Sequence, residues 1–82
     1  MILRGEIYRT ASGRPKQRGR GDRFWLEAET PEESERLEAA RRVGQPTSFS
    51  GSADRERGLR DLRNLAQAID RRFREQIREI TA

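Results

Sequence analysis

The sequence predicts a small α+β domain: a small antiparallel sheet of two or three strands with two helices, the C-terminal helix long. Three observations carry this. Two segments in the N-terminal third alternate apolar and polar residues with period two. A capped helix signal follows them, and the last third repeats apolar residues at helical spacing. At 82 residues the chain holds material for a single domain, residues 1–82.

The first strand is read over residues 1–9, "MILRGEIYR", with Leu3, Gly5 and Ile7 on one face and Ile2, Arg4, Glu6 and Tyr8 on the other. The second, over 23–29, "RFWLEAE", puts Phe24, Leu26 and Ala28 opposite to Trp25, Glu27 and Glu29. Consecutive strands pair most simply as antiparallel neighbours. Setting Ile7 against Phe24 and Leu3 against Ala28 unites the apolar faces, with Arg4 opposite Glu27 and Tyr8 opposite Arg23. Sliding until Glu6 meets Glu27 creates a like-charge pair, so the first register is preferred. The connection, a basic loop over 10–22, exceeds the usual hairpin loop of about two to five residues. Gly13, Gly19, Gly21 and Pro15 oppose regular structure within it, and greater mobility than in the helices is expected there.

"TPEESERLEAARRVG" reads as a helix over 31–43. Thr30 caps it, Pro31 suits its first position, and Glu33 completes a capping box. Leu37, Ala40 and Val43 form its apolar stripe, and Gly44 ends it. A polar linker over 44–52 includes "TSFS", a candidate short strand with Phe49 turned inward. The last helix is placed over 53–80, capped by Ser52 or Asp54. Its apolar positions are Leu59, Leu62, Leu65, Ala66, Ile69, Phe73, Ile77 and Ile80, with Gly58 a weak point near the start.

Composition excludes several chemistries. There is no Cys and no His, hence no disulfide, no Cys/His zinc site, no histidine base and no cysteine nucleophile. The acids lie mostly on helix faces beside Arg, and no phosphate-loop spacing occurs. A non-enzymatic protein without metal or cofactor is expected. No apolar run approaches the ~18 residues of a membrane span, and a cytoplasmic location is expected.

Charge points to partners. Residues 1–23 carry seven cations against Glu6 and Asp22, and Lys16 is the only Lys among eighteen cations. Arg14, Lys16, Arg18, Arg20 and Arg23 alternate with small or flexible residues, a pattern able to follow a phosphate backbone. Tyr8 and Trp25 fall on the outer strand face where the loop emerges, as candidate stacking residues for a single strand. "GRPK" partly resembles the AT-hook, a minor-groove peptide, but Ser12 stands where its first Arg belongs, and after "RGR" at Arg18 to Arg20 Gly21 replaces the proline, so no hook is assigned. "RGD" at Arg20 to Asp22 matches an integrin tripeptide and is read as chance.

A second constellation is the expected long helix, which at ~40 Å outruns strands of ~20 Å. Leu62, Ile69, Phe73, Ile77 and Ile80 are therefore the candidate oligomer or partner interface, with a homodimer expected first and another protein second. The leading function is nucleic-acid binding, of DNA or RNA, through the Arg-rich loop and its neighbouring aromatics. The alternative is a protein-binding module or inhibitor, for example a phage or mobile-element protein that blocks host or defence machinery.

Overall fold

The computed structural model describes residues 1–9, 21–51 and 55–81, with the backbone alone at 9 and 81. The elements run β1 (Ile2–Arg9), β2 (Arg23–Glu27), α1 (Pro31–Arg42), β3 (Ser48–Ser50), α2 (Arg55–Ile69) and β4 (Arg74–Thr81). The four strands form one sheet in the order β3-β2-β1-β4. β1 pairs antiparallel with β2, β2 antiparallel with β3, and β1 parallel with β4.

Two expectations are corrected here. The sheet is four-stranded and mixed, not a two- or three-stranded antiparallel one. The long C-terminal helix over 53–80 does not form: α2 stops at Ile69 and the chain returns as β4. Asp70 makes the stop. Its backbone N–H still donates to Ala66, closing the last helical turn, while its carboxylate accepts from the Arg72 N–H at 2.9 Å. The Phe73 N–H then donates to the Asp70 carbonyl, a β-turn that aims the chain back along β1. The proposed caps Ser52 and Asp54 lie outside the described residues.

The β1–β2 register also differs from expectation. Leu3 faces Leu26, Gly5 faces Phe24 and Glu6 faces Arg23, a slide of two residues from the expected pairing. The slide sets the Phe24 ring over Gly5, the one inner β1 position without a side chain. It also puts Glu6 opposite a cation. Arg4 reaches Glu27 all the same, across the diagonal, at 2.5 Å.

α1 follows its sequence closely. The Thr30 hydroxyl accepts from the Glu33 N–H at 3.2 Å, and Glu33 reaches back to the Glu29 N–H at 2.9 Å. At the other end Gln45 N–H donates to Ala40 and Gly44 N–H to Arg41, a Schellman closure with Gly44 at φ 81. Leu37 and Ala40 are buried, but Val43 is 75% exposed, because the closure turns the chain away before Val43 can reach the sheet.

The core lies between one sheet face and both helices. Met1, Leu3, Phe24, Leu26, Leu37, Leu62 and Ala66 form its buried centre. Ile7, Phe49, Leu59, Leu65, Ile69, Phe73 and Ile77 pack around it. Phe49 on β3 does turn inward, stacking on Phe24 with ring centroids 5.4 Å apart. Leu62, Ile69, Phe73 and Ile77 are thus parts of, or neighbours to, this chain's own core. The case for a second surface rested on an overlong helix, and the fold-back into β4 supplies their cover instead.

Candidate nucleic-acid interface

Strand alternation sends every second side chain to the sheet face opposite the helices. On that face β1 carries Ile2, which is buried, then Arg4, Glu6 and Tyr8, and β2 carries Arg23, Trp25 and Glu27. β4 adds Arg74, Gln76, Arg78 and Ile80, and β3 adds Ser48 and Ser50. Among the described residues α1 and α2 pack on the other side of the sheet, where Leu37, Leu62 and Ala66 join the core.

The face is a lattice of paired charges with an aromatic in its middle. Trp25 stands opposite Arg4, and Arg4 stands between Trp25 and Gln76 across three strands. Arg4 Nε donates to Glu27 and its Nη1 donates to Gln76 Oε1 at 2.6 Å. The Trp25 indole N–H donates to the other Glu27 oxygen at 3.0 Å. These bonds from Arg4 and then Trp25 hold the Glu27 carboxyl below its ordinary pKa, so it stays ionised and keeps both partners in place. The Arg23 guanidinium lies 5.6 Å from the Trp25 ring centroid, within cation–π range. The Tyr8 hydroxyl donates to Glu6, and Arg78 approaches the other Glu6 oxygen to 4.0 Å.

Sequence-predicted site residues divide into three groups. Tyr8, Arg23 and Trp25 share the open face as expected. The two aromatics do not adjoin, however: Trp25 is level with Arg4, four residues before Tyr8, so they sit roughly 13 Å apart along the strand. They form two stations rather than one cluster. Arg14, Lys16, Arg18 and Arg20 lie outside the described residues, as does the mobility expected around them. Of the expected partner interface, only Ile80 belongs to the open face, paired in register with Tyr8.

The roots of the basic segment are well defined. The chain enters it from the Tyr8 end of β1 and leaves it at Asp22, which is buried and bridged to Arg55 at 3.2 Å. The Asp22 carbonyl accepts from the Gly51 N–H at 2.8 Å. Gly21 packs so closely on Gly51 that a Cβ would stand 2.9 Å from its Cα. With its carboxylate committed to Arg55, Asp22 anchors the start of β2.

Sequence reasoning placed Arg4 on this face without naming it as a site residue, and missed Arg74, Gln76 and Arg78 as members of the face. No local signal marks them: in "REQIREI" the apolar residues Ile77 and Ile80 are three apart, a helical spacing that sends them to opposite faces of a strand. No group of acidic residues able to hold a metal ion occurs among the described residues. No helix among the described residues is long and apolar enough to cross a membrane. No protein-family model, no curated protein and no solved structure matches this chain.

Proposed function

We propose that this protein binds single-stranded nucleic acid across the open sheet face, with the Arg-rich segment as a second, electrostatic contact. One observation carries the reading. Among the described residues a four-stranded sheet leaves one face uncovered by helices, and that face bears Trp25 among Arg4, Arg23, Arg74 and Arg78. An aromatic-bearing sheet face is a recurring way of holding unpaired bases, because every base offers a π-face to stack. The segment carrying Arg14, Lys16, Arg18 and Arg20 joins β1 to β2, whose ends bear Tyr8 and Arg23 on that face. Cations at that edge suit the backbone of a strand lying on the sheet. The face also carries Glu6 and Glu27, which limit its net charge and oppose indiscriminate binding of polyanions.

Salt titration tests this. With about five phosphate contacts on a single strand, log affinity falls against log salt with a slope of about −3 to −4. Arg18→Ala with Arg20→Ala flattens the slope by roughly 1.4 units. Trp25→Ala weakens binding by about 1–3 kcal/mol and leaves the slope alone, since stacking releases no counterions. No measurable affinity for any single strand at ~50 mM salt ends the proposal, because electrostatic binding is strongest at low salt. The face would then be a contact for another protein, the alternative drawn from the sequence.

A further inference from the structure

Arg4, Gly5, Glu6, Trp25, Gln76 and Arg78 line a cleft of about 250 Å³ on the open face. Clefts for drug-sized ligands run about 300–1,000 Å³, so this one suits a single flat ring system. Gly5 contributes only backbone to it. Trp25 supplies an aromatic wall. Glu6 supplies a carboxylate, and Arg78 a guanidinium nitrogen 4.0 Å from one of its oxygens. Arg4 ties Gln76 on one side to Glu27 on the other, fixing the walls.

We propose that this cleft reads guanine within a single strand, an inference that rests on the nucleic-acid reading of the face. An unstacked base exposes its Watson–Crick edge. Guanine presents there an acceptor, O6, followed by two donors, N1–H and N2–H₂. A guanidinium beside a carboxylate is the complement of that order. Arg78 donates to O6, Glu6 accepts from N1–H and N2–H, and the ring stacks on Trp25. The Tyr8 hydroxyl already donates to Glu6. An ionised carboxylate has about four acceptor sites, so two further bonds can be taken. Adenine and cytosine present a donor first and then an acceptor, which sets like against like. Thymine matches at O4 and N3–H but turns its O2 toward the carboxylate. Hypoxanthine keeps O6 and N1–H and lacks only the N2 amine.

Trp25 is the only tryptophan, so its fluorescence reports occupancy of the cleft directly. The experiment titrates the wild-type chain with adenine heptanucleotides whose central base is guanine, hypoxanthine, thymine or adenine. The guanine strand is expected to bind at least about fivefold tighter than the all-adenine strand, with hypoxanthine between them. Glu6→Gln abolishes that preference without weakening binding of the all-adenine strand, because it takes a negative charge off the face and leaves the phosphate-contacting cations in place. Arg78→Met is the second variant and removes the preference as well, with circular dichroism confirming that both fold. Equal binding of all four strands overturns the cleft and leaves the broader proposal standing. A preference that survives both substitutions overturns it too. Failure to bind any strand overturns both.

Discussion

A Cβ at Gly5 would lie 2.5 Å from Phe24 Cδ1 and 3.1 Å from Ile77 Cγ1. Phe24 has no room to retreat: it is 1% exposed and stacked on Phe49. Gly58 presents the same arrangement on α2, where a Cβ would come within 2.7 Å of the Phe49 ring. Both glycines are therefore spaces that the two stacked rings fill. Gly5→Ala is expected to cost about 1–3 kcal/mol of stability, the usual penalty for overpacking a filled core. Gly58→Ala should cost less, because alanine recovers about 1 kcal/mol of helix propensity. Urea denaturation of the two variants checks the order. A Gly58→Ala protein more stable than wild type by the full propensity gain would mean that Phe49 does not rest on α2.

β4 shows where sequence reading stopped and why. β1, β2 and α1 were legible because their signals are local: alternation, a capping Thr30, and Gly44 at the helix end. Phe73, Ile77 and Ile80 satisfy a 4,3 helical spacing, while alternation fails, because Glu75 and Glu79 fall on the same strand face as Phe73 and Ile77. Tertiary context, the otherwise unpaired edge of β1, overrides that spacing, and no local pattern reveals it. Tyr8, Arg23 and Trp25 were placed on the outer face from alternation alone. Arg78 and Gln76 were not, since their face exists only once β4 joins the sheet. Among the described residues the outer edge of β4 pairs with no other strand, and its charges guard it. In a symmetric antiparallel pairing of two copies, opposed residues share a face. Centring on Gln76 opposes Arg74 to Arg78, and centring on Ile77 opposes Glu75 to Glu79. The wild-type chain is therefore expected to sediment as a monomer at high micromolar concentration. Glu79→Thr removes the clash in the Ile77 register and should promote association. A wild-type dimer that Glu79→Thr leaves unchanged would show that the edge charges do not control association.

Across the whole molecule, ion pairs bind the sheet to the helix ends, and this makes folding sensitive to pH from both sides. The Met1 ammonium donates to Glu29 at 2.8 Å and to Glu33 at 2.8 Å, drawing the start of β1 onto the start of α1. Burial works against that charge, but the Glu29 and Glu33 hydrogen bonds prevail and raise its pKa. The Glu29 carboxyl is held below its ordinary value chiefly by the ammonium, with Arg74 adding to it. Asp70 is lowered first by the Arg72 backbone N–H in the turn between α2 and β4, and Glu27 by Arg4. For the carboxyls the folded pKa lies below the unfolded one. Their stabilisation is complete above about pH 5 and fades as pH falls through their depressed folded values. For the ammonium the folded pKa lies above the unfolded one. Its contribution is complete below about pH 8 and is lost as pH rises through the raised value. With no histidine to titrate between these limits, stability should form a plateau from about pH 5 to pH 8. Acid should bring the larger loss, because protonating carboxyls also uncovers the repulsion of eighteen cations. Urea midpoints across pH 3 to pH 10 measure the profile. Added salt separates the two acid effects: ~0.5 M salt screens the general repulsion and should recover part of the stability at pH 3. Glu29→Gln and Asp70→Asn should each flatten the acid limb, because an amide has no proton to gain. An acid limb as steep in both variants as in wild type would place the controlling carboxyls elsewhere in the chain.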